Sequence, residues 1–303
     1  MRPLAALLAL AASAFPFPCL AQASQLMTRT LEERPAVVIA AFGTSTAAQL
    51  TYDAFEAQLR EALPDLEIHW AFTSEVIRER VNQRRRAQGR TDLLLSLQQV
   101  LADLEARGYT KAAVQPLHIF PGQEYEETVG IASRFPGLRV ELGEVLLHRW
   151  ENVREVVAAV SRDFVPPAEG CNVLVSHGTP LTASPANITY LGLDRHLAET
   201  YPNAFLGVVE GIFTPEHALG PAAACPGPRV RFVPFMYVGG EHLMRDVMGG
   251  DAESWKTRVE AAGKTAEAAT VEYRGQTLYK GLGFYPEVND LFLDSLRRAV
   301  ARL

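Results

Sequence analysis

The sequence predicts an α/β fold of two similar lobes, each a parallel sheet flanked by helices, with a cleft between them. Three observations predict it. Short β-rich runs alternate with helical periodicities along the chain, the pattern of parallel strands joined by right-handed helical crossovers. The runs end abruptly at Gly or Pro, as in Val173-Leu174-Val175-Ser176-His177-Gly178-Thr179-Pro180, which marks buried strands and their turns. The same order of elements restarts after Pro166-Pro167 and Gly170, so a lobe boundary is expected there.

In chain order, 36–42 reads as a strand closed by Gly43-Thr44-Ser45. Residues 47–63 carry Leu50, Phe55, Leu59 and Leu63 at helical spacing and stop before Pro64. Residues 66–72 form the next strand. Residues 75–87 and 92–107 are expected as two helices separated near Gly89, the second capped by Thr91. A strand over 111–119, a helix over 124–134, a short strand over 138–142 and a helix over 150–164 complete the first lobe, 24–168. In the second lobe, 169–303, strands are expected over 172–176, 204–209, 229–235 and 270–273. Helices are expected over 186–200, 215–219, 241–248, 253–262 and 286–301, and 221–228 reads as a Pro/Ala/Gly loop. The last helix, amphipathic through Val288, Leu291, Phe292 and Leu296, is available to pack back on the first lobe.

Residues 1–23 read as a secretory signal. Arg2 supplies the positive start, 4–12 the apolar core and Ala21-Gln22-Ala23 the small-residue cleavage pattern. The apolar run is too short to span a bilayer. Cleavage after Ala23 and export to the periplasm are expected. The chain carries 29 basic and 35 acidic residues, net −6, and loss of Arg2 with the leader makes it −7. That balance argues against nucleic acid as a partner. Arg84-Arg85-Arg86 reads as a solvated helix face. Cys171 and Cys225 could pair in an oxidising compartment, a pairing the sequence leaves open. No CxxC or Cys/His cluster marks a structural zinc module, and no phosphate-binding glycine loop is present, so ATP is not expected.

The halves align residue by residue: 36–44 on 171–179, and 115–124 on 233–242. Phe42 then stands where the second lobe has His177, and Glu124 where it has His242. The second strands align in two ways, with Phe72 or Glu75 opposite Glu210. Ligands in open α/β sheets bind beyond the carboxyl ends of the strands. Three successive strand ends of the second lobe thus deliver His177, Glu210 and His242, a donor set that suits zinc, iron, cobalt or nickel. One wall of the cleft would carry metal-type ligands, the other an aromatic ring and a carboxylate. A flat ligand between them would meet metal on one face and lose protons on the other.

Several motifs, in this order and spacing, resemble the anaerobic cobaltochelatases that act on sirohydrochlorin, the CbiK type of the class II, ATP-independent tetrapyrrole chelatases. They are Ser176-His177-Gly178-Thr179, Gln115-Pro116-Leu117-His118-Ile119 with Gly122-x-Glu124, Val209-Glu210-Gly211, and Pro234-Phe235-Met236 with Gly239-Gly240-Glu241-His242. The resemblance covers nearly all of the mature chain. It implies a chelatase-like duplication with the active site between the lobes, His177, Glu210 and His242 as metal ligands, and His177 with Glu124 in catalysis. The implied reaction inserts Co(II), or Fe(II), into the tetrapyrrole with release of two protons and without ATP. The exported leader departs from the usual cytoplasmic setting of corrinoid synthesis. A non-catalytic periplasmic carrier of a metal ion or metallo-tetrapyrrole would use the same ligands. A metal-dependent hydrolase is a weaker reading, since no His-x-His, HExxH or two-metal carboxylate cluster is present.

His118 at its strand end is either a group behind the ligands or an ordinary core-edge histidine. Phe42, Tyr125, Phe213 and Tyr237 are candidates for contact with the ring plane, and Arg78, Arg134 and Arg245 for its carboxylates. Oligomeric state is left open.

Overall fold

The computed structural model describes residues 30–303; the leader expected over 1–23 lies outside the described residues. The first sheet comprises β1 (Ala36–Ala41), β2 (Ile68–Phe72), β3 (Lys111–Pro116) and β4 (Arg139–Leu142), in the order β2-β1-β3-β4. The second comprises β5 (Gly170–Gly178), β6 (Ala204–Glu210), β7 (Arg229–Pro234) and β8 (Thr265–Ala268), in the order β6-β5-β7-β8. All pairs within these two sheets are parallel. The identical strand order confirms the duplication.

The helices are α1 (Leu50–Ala62), α2 (Glu75–Ala87), α3 (Leu97–Ala106), α4 (Gln123–Ala132), α5 (Trp150–Val160), α6 (Ala186–Thr200), α7 (Pro215–Ala223), α8 (Trp255–Ala261) and α9 (Pro286–Ala301). One continuous apolar core joins the two sheets. It takes Val37 and Ile39 from β1, Leu174 from β5 and Val233 from β7, and packs them with Phe55 of α1, Val156 of α5, Leu193 of α6 and Phe292 of α9. The opposite face of the first sheet is covered by Leu97, Leu101 and Leu104 of α3, and that of the second by Ala218 of α7 and Trp255 of α8. Strands buried on both faces explain why β1 and β5 read as continuous apolar runs rather than alternating ones.

Helix α9 packs against β3 and β4 of the first sheet. Ser295 accepts a hydrogen bond from the Glu144 N–H at 2.7 Å, and Arg298 pairs with Glu144 at 2.8 Å. The chain therefore ends on the lobe in which it began. Cys171, at the start of β5, is disulfide-bonded to Cys225 after α7, with 6.2 Å between the α-carbons.

Three expectations are corrected. Residues 92–96 do not begin a helix: Leu95 accepts the Phe72 N–H at 2.8 Å, and Asn82 bonds both backbone groups of Leu94. The cap of α3 is Ser96, in a reciprocal capping box with Gln99, and not Thr91. The region 221–228 is helical as far as Ala223 despite Pro221. The strand expected over 270–273 is present as β9 (Thr270–Tyr273), and it pairs antiparallel with β10 (Gln276–Tyr279) in a hairpin apart from the main sheets. Its two-residue turn, Arg274-Gly275, has positive φ at both positions, as a type I′ turn requires.

Strand register also resolves the alignment of the second strands. Val37 pairs with Ile68, while its counterpart Asn172 pairs with Ala204. Counting along, the counterpart of Glu210 is Ser74, neither Phe72 nor Glu75.

Candidate active-site cleft

The carboxyl ends of β1, β3, β5, β6 and β7 converge on one cleft with a volume of about 320 Å³. Each lobe delivers its first loop in the same way. Gly43 and Gly178 occupy equivalent positions with φ of +100° and +91°, a conformation that glycine adopts without strain. A Cβ on Gly178 would lie 1.7 Å from the Glu210 carbonyl oxygen. Each glycine N–H donates to a buried tyrosine hydroxyl at 3.1 Å, Gly43 to Tyr52 of α1 and Gly178 to Tyr190 of α6. Burial raises the pKa of both tyrosines, so both stay neutral anchors.

His177 leaves β5 just before this turn. His242 begins the segment after β7, which continues as a π-helical turn over Leu243–Val247, a distortion often found at functional sites. The Nε2 atoms of His177 and His242 lie 3.2 Å apart, with the rings nearly perpendicular at 83°. With metal–imidazole bonds of about 2.0–2.1 Å, that separation corresponds to an N–metal–N angle of about 100°, close to tetrahedral. One ion could thus be shared by both nitrogens as they stand. The Nδ1 of His242 lies 2.7 Å from Oδ2 of Asp246. An N–H there donating to the carboxylate leaves Nε2 with its lone pair turned to the cleft. Asp246 escaped the sequence analysis; its signal was the four-residue spacing from His242 on a helical segment.

Glu210 does not close a three-ligand cage. Its Oε1 lies 3.8 Å from Nδ1 of His177, the far nitrogen of that ring, because Glu210 pairs in register with Gly178 and so passes beside the imidazole. No group of three His, Cys, Asp or Glu among the described residues is gathered around a common point. The side chains of His177, Glu210 and His242 are 45%, 47% and 48% exposed, so the pair faces an open approach.

Glu124 lines the same cleft from α4 of the first lobe. Its Oε2 stands 3.6 Å from where a Cβ on Gly122 would be, and Ser184 and Ala186 of the second lobe border the same point. Tyr190 feels the charges of both Glu124 and Glu210, which help to raise its pKa. The first lobe thus supplies a carboxylate, and the second supplies the imidazole pair.

His118 borders the cleft and is 8% exposed, and neither ring nitrogen has a partner among the described residues. Burial alone drives its pKa down to about 4. It is a neutral imidazole in an apolar setting.

Of the aromatic candidates, Phe42, half exposed, and Tyr237, stacked on Tyr52, line the cleft. Tyr125 and Phe213 do not; Phe213 lies flat on His217 at 4.2 Å between ring centres. Phe120, which escaped the sequence analysis, lines the cleft and stacks on Tyr190 at 4.0 Å. Of the arginine candidates, Arg78 is committed to the Phe72 and Thr73 carbonyls at 2.6 and 2.9 Å. Arg134 borders neither the cleft nor the depression beside it, which Arg245 lines.

The family model described as cobalt chelatase (CbiK) matches residues 35–301. The sirohydrochlorin cobaltochelatase CbiKC of Nitratidesulfovibrio vulgaris is 30% identical over 275 residues, covering 88% of this chain and 91% of that protein. The sirohydrochlorin cobaltochelatase of Salmonella typhimurium is 30% identical over 274 residues, covering 88% and 97%. Among solved structures, SirB from Bacillus subtilis with Fe3+ superposes with a TM-score of 0.57 at 17% identity, covering 89% of this chain and 96% of that one. CbiX, the terminal enzyme of siroheme biosynthesis in denitrifying bacteria, superposes with a TM-score of 0.50 at 15% identity, covering 88% and 99%. At such identities these two show a shared fold.

Proposed function

The chain belongs to the cobalt chelatase (CbiK) family, and from that premise we propose that it is a metal chelatase inserting Co(II) into sirohydrochlorin, with release of two protons and without ATP. The observation that carries the reading is the convergence of the His177 and His242 Nε2 atoms at 3.2 Å, in a cleft whose facing lobe presents Glu124. Insertion exchanges two pyrrole protons for one divalent ion. The chain must therefore hold an ion loosely, seat a flat macrocycle against it, and accept protons.

Two neutral imidazoles hold the ion and leave its remaining positions open to ring nitrogens. Asp246 keeps His242 in the tautomer whose Nε2 binds. Glu210 adds negative charge beside His177, which draws the cation into the cleft. A closed cage of strong donors would retain the metal, whereas an open pair releases it to the macrocycle. Glu124 accepts a pyrrole proton from the opposite wall. Phe42 and Phe120 on that wall, with Tyr237 from the second lobe, give the cleft the aromatic surface on which a conjugated ring packs. Fe(II) fits the same donor set, so metal choice is read by assaying Co(II) and Fe(II) in parallel.

The test is spectral conversion of sirohydrochlorin by the purified mature protein at catalytic concentration. Many turnovers per chain support the enzyme. Uptake of one equivalent of metal or metallated ring, with no turnover, would make the protein a carrier instead.

We also propose that the protein works in the periplasm. The reading of residues 1–23 as a cleaved leader is joined by the Cys171–Cys225 disulfide, since such bonds persist in oxidising compartments. Amino-terminal sequencing of the protein from its native host should begin at Ser24; a mature chain that retains Met1 would overturn the proposal.

A further inference from the structure

Charge is unevenly divided around the cleft. Glu124, Glu210 and Glu241 line it, and no lysine or arginine among the described residues does. Such a lining attracts a divalent cation and repels a polyanion. The macrocycle of the proposed reaction carries acetate and propionate arms. It needs cationic partners, and the cleft offers none.

They stand in the depression next to it. This second cavity shares Ser45 and Glu241 with the cleft and is lined by Arg80, Arg84 and Arg245, with Asp251 at its border. Arg80 reaches across the lobes, its Nη1 3.0 Å from Oε2 of Glu241, the residue before His242. Arg84 forms no ion pair among the described residues and gives one hydrogen bond, to the Ser45 carbonyl at 3.1 Å. Among the described residues the only side-chain hydrogen bond or ion pair of Arg245 is to its neighbour Asp246, through Nε at 3.3 Å, and its side chain is 69% exposed. Its terminal nitrogens are therefore free for a ligand. The depression is bordered by both lobes, with Ser45, Arg80 and Arg84 on one side and Glu241 and Arg245, just beyond His242, on the other. The cleft itself is near the lower end of the roughly 300–1,000 Å³ usual for ligand sites. A tetrapyrrole with its nitrogens at the histidine pair must therefore extend its ring edge and acidic arms past the rim.

We propose that Arg84 and Arg245, with Arg80, form a carboxylate subsite that grips the peripheral arms of the tetrapyrrole and selects a many-carboxylate macrocycle over a two-propionate porphyrin. This rests on the chelatase reading. A planar guanidinium binds a carboxylate through paired hydrogen bonds. Entry of a substrate carboxylate also gives Arg80 a new partner and releases Glu241 beside the metal site. The subsite thus acts on binding and orientation, while the imidazoles and Glu124 act on the exchange itself.

The test uses Arg84→Gln, Arg245→Gln and their double variant, with Arg86→Gln on the same helix but outside the depression as control. Fluorescence titration with metal-free sirohydrochlorin reads affinity without turnover, and steady-state assays with Co(II) read KM and kcat. Each single variant should raise Kd and KM about tenfold, the usual scale for a lost charge-assisted hydrogen bond, with kcat retained; Arg84→Gln, whose one hydrogen bond goes to the Ser45 carbonyl, should also retain Co(II) affinity. Added salt should weaken binding to the native protein more than to the double variant. Affinity for a two-propionate porphyrin should change less than affinity for sirohydrochlorin. Unchanged Kd and KM for sirohydrochlorin in the double variant would overturn the subsite, as would equal losses with both macrocycles or in the Arg86 control. If the native protein binds sirohydrochlorin but does not turn it over, the enzyme reading falls and the titration still decides the subsite. If it does not bind sirohydrochlorin at all, both fall.

Discussion

Replacing His118 with leucine should make the protein less sensitive to acid. The native imidazole is buried with both nitrogens unpartnered, and burial lowers its pKa from 6.5 to about 4. Between those values the unfolded chain binds a proton that the folded chain refuses. Stability therefore rises with pH across this window, and is lost as pH falls from about 6.5 toward 4. At about 1.4 kcal/mol per pKa unit, the linkage amounts to about 3 kcal/mol in all, most of which falls between pH 7 and pH 4.5. Leucine fills a similar volume, cannot titrate and leaves no unpaired ring nitrogen. At pH 7 the variant should match or exceed the native protein by about 1 kcal/mol. At pH 4.5 its advantage should widen by about 2–3 kcal/mol. The lowered pKa values of His69 and His196 act in the same direction in both proteins and cancel in the difference. Urea unfolding at the two pH values measures it. Parallel stability curves would show that His118 has a partner in solution and that its burial is not what depresses its pKa.

Asp246→Asn should weaken Co(II) binding by about ten- to a hundredfold, the usual cost of losing a carboxylate behind a metal-binding histidine; calorimetric titration reads it, and an unchanged affinity would remove Asp246 from the site. Glu124→Gln keeps shape but cannot accept a proton at neutral pH, so turnover should fall about a hundredfold with Co(II) affinity little changed. A loss of metal binding as severe as in His177→Ala would instead make Glu124 a ligand. Replacing Cys171 and Cys225 together with serine should cost about 4 kcal/mol in urea unfolding, the loop-closure term for a 54-residue separation; equal stability of the oxidised protein and the double variant would contradict the bond.

Much of this molecule was legible in its sequence because both lobes are built from the same short signals. Apolar runs buried on both faces marked β1 and β5, and Gly43 and Gly178 marked the turns that carry the cleft. Helices α2, α6 and α9 matched their expected bounds because their ends coincide with caps or prolines, such as Ser74 before α2 and Pro286 in α9. What stayed hidden depends on contacts remote in sequence. Residues 92–96 look helical, but they are held extended by Phe72 and Asn82. Strand β8 is four residues long and polar-flanked, too short to show a period. The placement of Glu210 beside the far nitrogen of His177 follows from strand register, which a sequence does not display. Asp246, and Arg80 and Arg84 of α2, read as ordinary solvated surface until the neighbouring cleft is seen to be acidic.

The central claim is that His177 and His242 together hold the metal that is handed to the macrocycle. X-ray absorption of the Co(II)-loaded protein tests it most directly, recorded for the native chain, His177→Ala and His242→Ala, with turnover measured on the same samples. The account predicts two imidazole nitrogens on cobalt at about 2.0–2.1 Å in the native protein, with loss of one and of turnover in each variant. A variant that keeps both the native cobalt spectrum and near-native turnover would contradict it.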